Sequence, residues 1–230
     1  TRLDISKTLA ARAPWAKKLL VALEAGQVSR NDITAYTARQ LYNLGNKPLL
    51  ARLKALWGEL RTTPAEKSQR IASYKKGLTP ELLQRADRGA GRILFQKTCA
   101  SCHRFFDFGG NIGPDITGSQ RTNLDYLLQT LVDPSATVAK DFQMQIIETT
   151  GGRVLTGLII SETKTALTIQ TVNEKVVVPT AEIESRKASE LSMMPEGMLQ
   201  NLTNEQIRNL VAYLMGPGQV PLKLEQIDKQ

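Results

Sequence analysis

"GRILFQKTCASCH", residues 91–103, holds both cysteines and the only histidine of a 230-residue chain. Asp87 stands ahead of it as an N-cap for "RGAGRILFQKT", so the spacing predicts a helix that runs into the first cysteine. Two thiols and an imidazole crowded into five positions, in a chain with no other Cys or His, point to a bound group rather than to packing. A zinc site is excluded as a local reading, because it needs four ligands and the rest of the chain supplies no Cys or His. A dithiol redox site would sit in a βαβ setting, whereas this motif follows a helix.

Cys99, Cys102 and His103 fit C-x-x-C-H, the attachment pattern of c-type haem. The spacing has a physical reason. Thiols three residues apart on a helical turn reach the two vinyl groups on one porphyrin edge, and the adjacent histidine then lies under the iron. With a single His in the chain, bis-His ligation by this chain is impossible. Methionine is the usual partner in electron carriers, since its soft sulfur favours ferrous iron. Of the five Met residues, Met144 and Met215 read as core packing. "SMMPEGM" is a tight loop before the last helix, and Met194, directly before Pro195, is the expected ligand, with Met193 and Met198 as alternatives.

Working outward, the front of the chain reads as helices: "APWAKKLLVALEAG", "NDITAYTARQLYNLG", "NKPLLARLKALWGEL" and "TPAEKSQRIASYKKG", each stopped by Gly or carrying an apolar stripe. They suggest antiparallel helix pairs, as in repeats or a small bundle. Another helix is expected at "TNLDYLLQTLVD". The last helix carries a Thr203/Gln206 capping box and a stripe of Ile207, Leu210, Val211 and Leu214. Between them, residues 142–180 change to period two, with turns at Gly151-Gly152 and Asn173-Glu174, and read as a small antiparallel sheet. The expected fold is therefore mainly α, with a small antiparallel β insertion. The expected domains are a helical, repeat-like segment at 1–85, a second domain at 86–220 with its insertion at 142–180, and a tail at 221–230.

Charge is uneven. Residues 1–85 carry 16 basic against 6 acidic side chains, and the remainder 14 against 16. No run of like charge exceeds a pair, so the basic half reads as a solvated helical face and no nucleic-acid partner is expected. No apolar run is long enough to cross a bilayer. The sequence opens without Met and without a basic-then-apolar signal, which raises the expectation of a processed chain or a fragment. No G-x-G-x-x-G or P-loop is present, and the histidine is committed to iron, so an enzymatic role is not expected of this chain itself.

"GRILFQKTCASCH", "GPDITG" and "MP" ahead of "LVAYL" resemble the class I cytochrome c pattern over roughly residues 87–216. With "DPSATV", "GGRVLTGLIISETKTALTIQT" and "SMMPEGMLQNLTNEQIRNLVAYL", the chain resembles more specifically the C-terminal haem-binding domain of large dehydrogenase-like proteins of Planctomycetes and Verrucomicrobia. The front part resembles, loosely, the helical region that precedes that domain. The resemblance implies a class I helical fold around one covalent haem c. Cys99 and Cys102 would be the attachments, His103 the proximal ligand and Met194 the distal one. Pro114 would accept a hydrogen bond from the free ring N–H of His103, and Arg121 would pair with a haem propionate. Gly91 and Phe95 would meet Tyr213 where the first and last helices cross. The strand block resembles a small SH3-like or Sm-like barrel. The implied function is electron transfer with a redox partner protein or a fused dehydrogenase domain, outside the bacterial cytoplasm, in the periplasm or at the cell surface. The alternative is a haem-based sensor with a displaceable sixth ligand.

Overall fold

The computed structural model of the chain describes residues 1–222. The elements run α1 (Arg2–Leu9), α2 (Ala13–Glu24), α3 (Ala35–Asn43), α4 (Lys47–Leu56), β1 (Gly58–Leu60), α5 (Ala65–Lys76), α6 (Pro80–Gln84) and α7 (Arg88–Thr98). Then follow β2 (Arg104–Phe105), β3 (Phe108–Gly109), α8 (Leu124–Val132), β4 (Thr137–Ala139), β5 (Gln143–Thr149), β6 (Val154–Glu162), β7 (Ala166–Gln170), β8 (Lys175–Pro179), β9 (Ile183–Ser192) and α9 (Asn204–Met215).

This corrects the expectation of a mainly α chain with the class I cytochrome c helical fold. Of the described residues, 45% are helical and 21% strand, and the strands include a five-stranded antiparallel sheet, so the fold is mixed α/β. Much of the difference is β9, which continues the sheet beyond the expected end at 180. Its exposed Glu184, Arg186, Lys187 and Glu190 hide any apolar alternation. Pairing with β5 makes it a strand, helped by Arg186 on Glu162 at 3.0 Å and Ser185 on Glu148 at 2.7 Å.

The chain forms two compact units, each drawn from two separate stretches. Unit 1 combines residues 1–62 with 135–194, and unit 2 combines 63–134 with the residues from 195 onward. The boundary expected at 85/86 therefore moves to 62/63, and α5 and α6 belong with the cysteine motif. The tail expected at 221–230 lies, from residue 223, outside the described residues.

In unit 1, α1 to α4 bury Leu19, Leu20, Leu23, Ile33, Leu41, Leu49, Leu53 and Trp57 in one core. The Trp57 ring is fully buried, and its Nε1 donates to the Ile33 carbonyl at 2.7 Å, which satisfies its polar atom. The helical stripe expected through "LWGEL" stops at Leu56. Gly58 takes φ +148°, and a Cβ there would lie 2.2 Å from the Val138 oxygen. The bare glycine lets residues 58–60 pair with β4 instead.

The sheet of unit 1 has the order β8-β7-β6-β5-β9. Its edge strands are consecutive, joined only by the 3-10 turn Thr180–Glu182. A flat sheet of this size sets its edges about 19 Å apart. The four peptide steps from Pro179 to Ile183 span at most roughly 14 Å. The sheet must therefore curl towards a barrel, around Ile147, Leu167, Ile169 and Val178.

In unit 2, α7 crosses α9 so closely that a Cβ on Gly91 would lie 2.0 Å from the Asn209 oxygen and 2.8 Å from Tyr213 Cβ. Phe95 and Tyr213 consequently meet with ring centroids 5.8 Å apart. Phe105, from β2, packs edge-on to both, at 5.5 and 5.2 Å. All three rings are buried. The crossing thus fixes the end of α7, from which the cysteine motif departs.

Candidate functional site

The start of α7 is fixed by Asp87, whose Oδ1 accepts from the N–H groups of Gly89 and Ala90 at 2.8 and 3.0 Å. Its end is Cys99, whose N–H still donates to the Phe95 carbonyl at 2.8 Å. The Cys99 carbonyl then accepts from the N–H groups of both Cys102 and His103, at 3.1 and 2.9 Å. The motif is therefore a single tight turn at the helix end. Both cysteines are free thiols. Cys99 is buried and burial pushes its thiol pKa up, opposed by the neighbouring Thr98 hydroxyl. Cys102 is half-buried.

His103 is oriented by one contact. Its Nδ1 lies 2.9 Å from the Pro114 carbonyl oxygen. A carbonyl only accepts, so Nδ1 carries the proton and the lone pair stands on Nε2. That is the tautomer a metal-ligating imidazole needs, with its outer hydrogen bond in place. It is also the contact that the resemblance assigns to Pro114.

The segment Gly109 to Gly113 wraps back over the motif. Gly110 donates to the Ala100 carbonyl at 2.7 Å and Gly113 to that of Cys102 at 2.8 Å. A Cβ on Gly113 would sit 2.7 Å from His103 Cε1, and one on Gly109, at φ +114°, would sit 2.1 Å from the His103 oxygen. The imidazole thus packs against bare backbone. Sequence reading passed over these glycines, although three within "GGNIG" signal close backbone approach. The residues present fit a covalently attached haem: two free thiols on one turn, and an imidazole with Nδ1 engaged and Nε2 available.

Arg121 has a different setting from the one implied for a propionate partner. It is buried, with Nε 3.2 Å from the Thr117 oxygen and Nη1 donating to the carbonyls of Leu214, at 2.7 Å, and Gly216. Its guanidinium lies over the rings of Phe105 and Phe106, at 4.8 and 5.3 Å. It satisfies the last carbonyls of α9 and ties them to the aromatic pair. Burial, and then the charge of Arg88, lower its pKa from the ordinary arginine value.

The methionine loop spans the join between the units. Met194 is the last residue of unit 1, and Pro195 opens the second stretch of unit 2, which holds Met198 and the cysteine motif. Met193, Met194 and Met198 are all half-buried. Within unit 1, the Ser192 N–H donates to the buried Ser135 Oγ at 3.1 Å, and the Met194 N–H to Ser192 Oγ at 3.1 Å. Within unit 2, Glu196 accepts from Lys67. Sequence reading missed both anchors.

Among the described residues no helix is long and apolar enough to cross a membrane. Neither family models nor curated proteins match this chain.

Proposed function

We propose that this protein carries one haem c, attached through Cys99 and Cys102, and serves as a one-electron relay between redox partners. The observation that carries the reading is the His103 Nδ1 to Pro114 carbonyl contact inside a C-x-x-C-H turn. It leaves Nε2 as the ligating atom and holds the ring plane against Gly113. When bound, the haem supplies the Fe(III)/Fe(II) couple. The chain's own residues then do three things. The thioethers formed by Cys99 and Cys102 retain the group through redox cycles, and Pro114 keeps His103 in the ligating tautomer. Met194 would supply a thioether ligand to the iron, with Met193 and Met198 as the alternatives in the same loop.

Further parts of the proposal follow from the chemistry and from the resemblance. Thioether attachment in bacteria is completed outside the cytoplasm, so the protein works in the periplasm or at the cell surface. Its electron donor is a dehydrogenase, as a partner or a fused domain, and the relay transforms no organic substrate.

The test is a visible spectrum of protein matured with a haem-attachment system, oxidised and reduced, together with its intact mass. A mass increase of one haem, six-coordinate reduced bands and a thioether-to-iron charge-transfer band lost in Met194→Ala are the expected results. A high-spin ferric form that binds imidazole at once would make the protein a ligand-binding haem sensor. Absence of the mass increase despite competent maturation would overturn the haem reading.

A further inference from the structure

Among the described residues of unit 2, Asp133 is a fully buried carboxylate, with its side chain 0% exposed. A buried carboxylate needs a cationic partner. Lys67 of α5 provides one, with Nζ 2.9 Å from Oδ1 and its own side chain only 19% exposed. The same Nζ reaches Glu196 at 2.5 Å. Glu196 lies between Pro195 and Gly197, the latter at φ +79°, in the irregular loop that follows Met194.

The two bonds differ in kind. The pair with Asp133 neutralises a desolvated charge, so losing the lysine weakens the support of a fully buried carboxylate. Glu196 is 46% exposed, and an isolated surface pair of that sort is worth little. It gains from the first bond, because Lys67 is already immobilised by Asp133 and loses little further freedom in holding Glu196. Lys67 therefore transmits the rigidity of α5 and α8 to a loop without helix or strand, in which the Gln200 N–H donates to the Gly197 carbonyl at 2.9 Å. Thr63, at the start of α5, is held to Gln129 of α8 at 2.8 Å, so the support beneath Lys67 is itself fixed.

We propose that Lys67 is the positioning residue of the methionine loop: anchored on Asp133, it holds Glu196 and thereby keeps the neighbouring thioether on the haem iron. The inference rests on the haem reading above. It gives the "DPS" turn a purpose. Asp133 anchors Glu196 through Lys67, and Ser135 anchors Ser192.

Glu196→Ala separates positioning from folding, because the Lys67–Asp133 pair stays intact. In the haem-loaded ferric protein, this variant should bind imidazole about tenfold faster and show a weakened thioether charge-transfer band, as expected for loss of an outer support. Lys67→Arg should restore the wild-type rate, and Lys67→Met should not. In haem-free protein, exchange of the Gln200 amide, whose N–H donates to the Gly197 carbonyl at 2.9 Å, should quicken about tenfold in Glu196→Ala, with exchange in α7 unchanged. Unchanged exchange in the loop, or unchanged imidazole binding with the charge-transfer band intact, would overturn the proposal. Loss of the haem mass from the wild type would instead defeat the haem reading, and the exchange measurement would still decide whether Lys67 holds the loop.

Discussion

The curled sheet of unit 1 and the helix crossing of unit 2 each contain a glycine pressed onto another backbone. Gly157 of β6 would place a Cβ 2.1 Å from the Gln170 oxygen, and Gly91 of α7 would place one 2.0 Å from the Asn209 oxygen. What surrounds them differs. The sheet is held by ladders on several strands, and a register irregularity between Ile159 and Ser161 already lets β6 adjust against β7. The crossing has no ladder. It depends on one close approach, the Phe95, Phe105 and Tyr213 contacts, and Arg121 on the carbonyls that end α9. The difference teaches that the chemistry-bearing turn hangs from the less forgiving of the two arrangements.

The strongest way to sharpen this contrast is Lys67→Met, which takes the ammonium away from the buried Asp133 carboxylate in unit 2. Breaking a buried ion pair by removing one member costs about 4 kcal/mol, to be read as a lowered urea midpoint. Burial works against the Lys67 charge, but hydrogen bonds and attraction from Asp133 and Glu196 outweigh it and hold its pKa above the ordinary lysine value. A raised folded pKa stabilises fully below the unfolded value of about 10.4 and is lost as pH rises through the folded value. The stability gap between wild type and Lys67→Met should thus be constant from about pH 7 to about pH 9 and narrow above about pH 10.5. A gap that narrows near neutrality would show that another group is responsible.

Gly91→Ala comes next. Alanine favours a helix over glycine by about 1 kcal/mol, yet the new methyl meets a backbone oxygen that no rotamer change can move. The clash should win, with a net loss of about 3 kcal/mol and less haem retained after maturation. Gly157→Ala should cost about 1.5 kcal/mol and leave haem retention unchanged. Equal penalties at the two sites would break the comparison. The smallest structural perturbation is a chemical one. In haem-free protein, Cys102 should alkylate several-fold faster than Cys99 near pH 8, because Cys99 is buried and its thiol pKa is raised. Peptide mapping by mass would read the ratio, and equal rates would mean that Cys99 is not sheltered by the end of α7.

Local signals were legible. Thr203 and Asp87 cap the helices that their side chains suggest. Period-two patterning located β5 to β8, and the Thr171 N–H to Glu174 carbonyl bond closes the turn expected at Asn173-Glu174. The cysteines and histidine were legible by their spacing. What escaped was non-local. The pairing of β1 with β4 joins segments far apart in sequence, and neither has a pattern of its own. Lys67, Asp133 and Glu196 are ordinary charges until the fold brings them together. Arg121 reads in the sequence as a partner for a propionate, and only the end of α9 explains its burial.

The interleaving of the units also bears on the order of synthesis. Made from the N-terminus, the chain presents Cys99 and Cys102 more than a hundred residues before Tyr213. Until α9 arrives, α7 lacks the partner that covers Phe95, and unit 2 has only its first stretch. Both thiols therefore pass through an interval in which the segment that will later shelter Cys99 is incompletely packed. A thiol reagent would reach Cys99 more readily before α9 packs on α7 than after it.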